Sequence, residues 1–197
     1  MTYHHGDLRA ALLSQARQAV DAEGEAGLSL RGLAAAVGVS PNAPYRHFPS
    51  KEALLVALSA QGFAELTGRF AACSDQAGPD RLIGYLSAYL GFAREHPGLY
   101  RLMFGRSLAP LSCDPMLGEQ AQACFRSLMS LIAVVWDLDE ADDRVPTGAA
   151  QVWSLCHGAA LLDIDQAIGF LPEDRRPTAR DLAATIIGGL RPWTNPS

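Results

Sequence analysis

The sequence predicts an all-α protein, and three observations carry that expectation. Apolar residues recur at helical spacing and no run alternates in the manner of a strand. Gly and Pro punctuate the chain into helix-length pieces. Residues 28–55, LSLRGLAAAVGVSPNAPYRHFPSKEALL, read as two short helices joined by a Gly-containing turn with a third directly behind, the plan of a helix-turn-helix.

A first helix begins near Gly6 or Asp7, buries Leu8, Leu12, Ala16, Ala19 and Val20, and is broken by Gly24 and Gly27; Tyr3, His4 and His5 precede it as an arm. In the second, Leu30, Leu33, Ala34 and Val37 fall at i, i+3, i+4 and i+7, Ser29 is the N-cap and Gly38 ends it in a left-handed conformation. Ser40 is expected to cap a third helix with Pro41 at its first position, closed by Phe48 and stopped by Pro49. Pro44 inside it removes the first intrahelical hydrogen bond, so the opening turn is predicted to be irregular or 3₁₀-like. Ser50 opens a long helix from Lys51 to about Ala72, faced by Leu54, Leu55, Leu58 and Leu66. A cation in its first turn is disfavoured by the helix dipole, so Lys51 points to an anionic partner.

Five more helices follow, at about 80–95, 97–105, 116–138, 145–169 and 178–190, giving about nine in all. A loop, LAPLSCDP, precedes the helix at 116, and the acidic run DLDEADD forms a solvated turn. The expected division is 1–52 for the helix-turn-helix and 53–197 for a helical second domain.

The 197 residues are 49% hydrophobic, enough for a buried core. No apolar stretch is long enough to span a membrane and the N-terminal twenty residues are not signal-like, so a cytoplasmic protein is expected. Cys73, Cys113, Cys124 and Cys156 are widely spaced without a C-x-x-C pair, which suits a reducing compartment and speaks against structural zinc; no metal or cofactor is expected. The net charge of −5 is unevenly spread. In residues 1–70 six cations balance six anions, so the whole excess lies beyond. A neutral head on an acidic body implies modest non-specific affinity for nucleic acid.

The run YRHFPSKEALL behind the turn AVGVS resembles the DNA-binding domain of the TetR family of bacterial transcriptional regulators. The resemblance covers residues 3 to about 65. Trp153, His157 and Gly158, in VWSLCHGAALL, resemble the ligand-binding domain of the family's Trp-His-Gly subgroup. The implied function is a ligand-responsive repressor that binds a palindromic operator as a dimer. Pro44 stands where many members carry an aliphatic residue, and Pro41, Asn42, Ala43 and Pro44 offer few donors to base edges. Readout is then expected from Asn42, which can pair bidentately with adenine, from Arg46, and from apolar contact of Pro41 or Ala43 with a thymine methyl. Tyr45, His47, Lys51, Ser29 and Arg31 are assigned to phosphates, and Ser40 belongs to the same DNA-binding surface.

Tyr85, Tyr89, Phe92, Tyr100, Met103, Phe104, Phe125, Met129 and Trp153 are more aromatic and sulfur side chains than a plain helical core requires. Singly each reads as core; as a group, the resemblance implies the walls of a cavity for a small apolar effector. His157 either offers such a ligand one hydrogen bond or holds two helices together. The resemblance also implies a homodimer through the last two long helices. Ala149, Val152, Cys156, Ala159 and Ala160, with Leu182, Ile186, Gly189 and Leu190, are the expected contact stripes. An enzyme is disfavoured: Cys156 and His157 point about 100° apart on a helix, and no phosphate loop, nucleophile elbow or H-E-x-x-H occurs. The competing reading is a helical interaction module whose helix-turn-helix no longer binds DNA.

Overall fold

The computed structural model describes residues 5–105 and 114–189. Tyr3, His4, Leu190 and most of the LAPLSCDP loop, Cys113 included, lie outside the described residues. Within them the protein is all-α, with eight α-helices and no strand: α1 His5–Glu23, α2 Leu30–Ala36, α3 Lys51–Ala71, α4 Gly78–Glu95, α5 Pro97–Phe104, α6 Pro115–Trp136, α7 Arg144–Ile164 and α8 Ala179–Gly189. Two 3₁₀ turns, Pro44–Arg46 and Glu173–Arg175, complete the described elements.

The ninth α-helix expected over 41–48 does not form. Ala43 donates to the Ser40 carbonyl at 2.9 Å, Arg46 to Ala43 at 3.3 Å and His47 to Pro44 at 2.9 Å, all i to i−3 bonds. Phe48 alone closes an α-type turn, onto Pro44 at 2.9 Å. Pro44 has no N–H to donate and its ring is buried, so the segment is a chain of tight turns around a proline anchor. The irregularity foreseen for the opening turn extends through the whole segment. Helix α7 also stops at Ile164, before the expected Gly169, because Gln166 turns to a φ of 54°.

The chain forms two compact units. The first takes the chain through Phe63 and adds His96 to Ala121; the second takes Ala64 to Glu95 and the chain from Gln122 onward. In the first, α1 packs against α2 and α5, and α2 against the 3₁₀ turn. Leu12, Ala16, Leu33, Ala34, Phe48, Leu54 and Leu58 form its core. Asp21 of α1 caps α5 from a distance, its Oδ1 accepting from Leu99 N at 2.9 Å while Oδ2 lies 3.3 Å from His96 Nδ1. The two helices touch so closely that a Cβ on Gly98 would overlap the Val20 carbonyl. In the second unit α4 packs on α7 and α8, and α7 on α8. Arg69 stitches its edge, reaching Glu65 at 2.8 Å and Glu95 at 2.7 Å with its guanidinium over the Phe92 ring.

Ala149, Val152, Cys156, Ala160, Leu182 and Ile186, expected to face a partner, are all buried in the second unit's own core. Helical spacing identifies an apolar face but not what covers it. Trp153 and Leu162 on α7 and Ile187 on α8 are each more than a third exposed.

Candidate nucleic-acid interface

Helix α2 is capped at both ends by local chemistry. The Ser29 hydroxyl accepts from Gly32 N at 3.0 Å with Ser29 in extended backbone. At the other end Val39 N bonds the Ala34 carbonyl at 2.9 Å and Gly38 N bonds Ala35 at 3.2 Å, with Gly38 at a φ of +73°. This pair of hydrogen bonds is a Schellman ending, and it requires the left-handed residue that Gly supplies. The chain therefore reverses sharply and delivers residues 40–47 to the surface.

Pro44 and Phe48 are the anchors of that segment and face inward. Between and before them, Ser40, Pro41, Asn42, Tyr45 and Arg46 are exposed, while Ala43 and His47 are half-buried. Ser29 and Arg31, at the start of α2, are exposed too. Every residue assigned to bases or phosphates is thus at least partly open to solvent. Arg31 and Arg46 have no ion-pair partner among the described residues, which leaves both guanidiniums available to an anion.

Lys51 is placed differently from expectation. Its ammonium donates to the backbone carbonyl of Glu25 at 2.6 Å, tying the start of α3 to the turn after α1. A cation at a helix start thereby has an intramolecular reason, and two of its three donors stay uncommitted by that bond. Ser50 caps the same helix through Ala53 N at 3.2 Å. Glu52 lies beside it, its carboxyl held below the usual range by a backbone hydrogen bond and by Ser50.

One residue absent from the sequence reading belongs to this surface. Arg9 of α1 is exposed and sets its guanidinium 5.3 Å from the centroid of the Phe48 ring. It supports the aromatic plug and adds a positive charge beside the exposed turn. No spacing rule could have paired them, since the contact joins α1 to a segment far along the chain.

The effector candidates divide between the units: Tyr100, Met103 and Phe104 in the first, Tyr85, Tyr89, Phe92, Phe125, Met129, Trp153 and His157 in the second. In the second, Trp153 Nε1 donates to the Tyr89 hydroxyl at 3.1 Å, and that hydroxyl lies 3.3 Å from His157 Nδ1. Phe125 meets Trp153 edge to face at 6.1 Å, and Phe70 stacks on Tyr85 at 3.6 Å. Burial pushes the His157 imidazole below its ordinary pKa, favouring the neutral ring that can accept from Tyr89. His157 thus bonds helix α7 to helix α4, one of the two roles open to it from sequence. Burial raises the Tyr85 phenol far above its usual value, so it stays protonated.

Residues 12–58 match the family model described as bacterial regulatory proteins, tetR family. Residues 82–186 match tetracyclin repressor-like, C-terminal domain. Nucleoid occlusion factor SlmA of Marinomonas sp. (strain MWYL1) is 31% identical over 196 residues, which is 97% of this chain and 85% of that protein. Uncharacterized HTH-type transcriptional regulator YobS of Bacillus subtilis is 29% identical over 90 residues, 45% of this chain and 47% of YobS. The chain thus spans about half the length of several curated relatives it matches. A solved protein of unknown function from Rhodococcus sp. RHA1 superposes with a TM-score of 0.77 at 31% identity, covering 94% of this chain and 95% of that one. Because the second match alone spans more than half of the residues, and the first falls on the capped turn described above, this chain belongs to the tetR family of bacterial regulatory proteins.

Proposed function

We propose that the protein is a repressor that binds a palindromic operator as a homodimer and releases it when a small apolar effector occupies the second unit. The observation that supports this most is the anchored turn: buried Pro44 and Phe48 hold Asn42, Tyr45 and Arg46 outward at the end of a doubly capped helix. Asn42 and Arg46 select bases, with Pro41 and Ala43 against thymine methyls, while Ser29, Arg31, Ser40, Tyr45, His47 and Lys51 hold phosphates. With so few donors, one head gives modest selectivity. Two heads about 34–36 Å apart, one turn of duplex, supply the rest.

The dimer forms through the outward faces of α7 and α8, since their inward faces are occupied. The effector site is the aromatic cluster around Tyr89, Trp153 and His157, within the run that resembles the Trp-His-Gly subgroup. An effector acts by favouring a dimer whose heads no longer match the groove spacing. Moving the population from nearly all competent to nearly all incompetent requires about 5.5 kcal/mol of differential affinity. The protein does this work in the cytoplasm.

Selection of bound fragments from a random duplex pool is the experiment. Recovery of a palindrome with half-sites one helical turn apart is the expected result. Enrichment of no sequence, with fluorescence anisotropy flat on sheared genomic DNA at low salt, would favour the interaction module over the repressor.

A further inference from the structure

Arg9 stands on α1 at the edge of that helix's buried face: Leu8 and Leu13 beside it are buried, while its own side chain is exposed. Its guanidinium carbon lies 5.3 Å from the centroid of the Phe48 ring, within reach of a cation–π contact. That ring is held in place, for it is 2% exposed and its backbone N–H donates to the Pro44 carbonyl at 2.9 Å. An aromatic face orients the arginine without offering it a lone pair. Its N–H donors meet no carboxylate or carbonyl among the described residues, so the guanidinium fork stays open to an oxyanion. Arg9 thereby joins Arg31 and Arg46 as a third guanidinium of the first unit with no ion-pair partner among those residues.

We infer that Arg9 grips a backbone phosphate of the DNA duplex and that the Phe48 ring positions it. This rests on the DNA-binding reading above and adds to it a contact from α1, ahead of the residues 12–58 that match the family model. Phe48 follows His47, so its ring holds the guanidinium at the far end of the turn from Asn42, where backbone rather than base edges is met. A phosphate fits the donor set, since a planar fork bonds two of its oxygens at once. A ring that holds the fork beforehand spares the ordering of a long side chain on binding. Phosphate contacts orient without reading sequence, so Arg9 serves all duplexes alike.

The test uses the full chain with Arg9→Met, Arg9→Lys, Phe48→Leu and the Arg9→Met, Phe48→Leu double variant. Fluorescence anisotropy follows binding to a labelled random-sequence duplex across about 50–200 mM salt. Arg9→Met is expected to weaken binding about tenfold per protomer bound and to flatten the salt slope by about one unit per protomer. Arg9→Lys is expected to keep the slope, because the charge stays, and to lose part of the affinity with the fork. In the Phe48→Leu background the Arg9→Met loss is expected to shrink to about threefold, since a guanidinium without its ring is no longer held for the phosphate. If circular dichroism shows Phe48→Leu unfolded, the Arg9 Nε–H resonance of the wild type, identified by its loss in Arg9→Met, decides the same point. A ring-current displacement that changes on adding duplex is expected there, and a random-coil position overturns the positioning. Equal losses in both backgrounds overturn it too. An Arg9→Met protein with wild-type affinity and slope overturns the contact while leaving the DNA-binding reading intact. A wild type that binds no duplex at low salt overturns both.

Discussion

Asn42 and Lys51 illustrate how differently two neighbouring polar residues serve one surface. Asn42 is exposed and makes no bond that shapes its own segment, so Asn42→Ala is expected to leave thermal stability unchanged. The same change relaxes base preference at one position of each half-site, by about 1–3 kcal/mol in competition binding against single-base operator variants. Lys51 is tied to the Glu25 carbonyl, so Lys51→Met leaves a carbonyl without its charged partner. A cost of about 1–2 kcal/mol in urea denaturation is expected, together with a salt slope flattened by about one unit. Arg46→Ala, at an exposed and unpaired guanidinium, is expected to relax base preference without the stability cost. Equal stability losses in both variants would contradict the assignment. The residue types of this surface were legible in the sequence; the second duty of Lys51 was not, because its partner is a backbone atom 26 residues away.

Helix ends were the most legible elements. Ser29, Gly38 and Ser50 each act within four residues of themselves, so their roles follow from local chemistry alone. The segment 41–48 was half legible: Pro44 announced a missing hydrogen bond, but only its burial shows why the chain turns around it. The α1–α5 contact was not legible at all. Gly98 is followed by no helix signal that distinguishes it from a flexible spacer, yet a methyl there collides with the Val20 carbonyl. Backbone cannot yield as a side-chain tip can. Gly98→Ala is expected to destabilise the protein by about 1–3 kcal/mol, read as a lower urea midpoint, through separation of α5 from α1. The same change should weaken the Asp21 cap on Leu99, seen as faster amide exchange in α5. Unchanged exchange there would show that α5 shifts without cost.

Over the whole molecule, buried thiols make stability depend on alkaline pH. Burial pushes Cys156 up to about 12 and Cys124 up to about 11, against an ordinary value of 9.0. The native state therefore keeps two protons that the unfolded chain releases. Their contribution is whole below pH 9.0 and is lost as pH rises towards those folded values, so stability falls on the alkaline side. Each thiol adds a slope of up to about 1.4 kcal/mol per pH unit in that window. Urea midpoints measured at pH 8, 9 and 10, points chosen to bracket the ordinary thiol value, are expected to decline across the last step. A Cys124→Ala, Cys156→Ala variant should decline less. An equal decline in both would assign the effect to other groups, the buried Tyr85 phenol first among them.

The sequence by itself determined that the protein is helical, where α2 and α3 begin, and that a turn motif of the tetR type lies near the start. All of these rest on interactions within one or two helical turns, where spacing and residue type suffice. Tertiary structure decided which face of α7 and α8 is core, that Asp21 caps a distant helix, and that Arg9 lies over Phe48. The reason is physical: an apolar stripe fixes only that something must cover it, and the choice among covering elements is made by packing the whole chain at once.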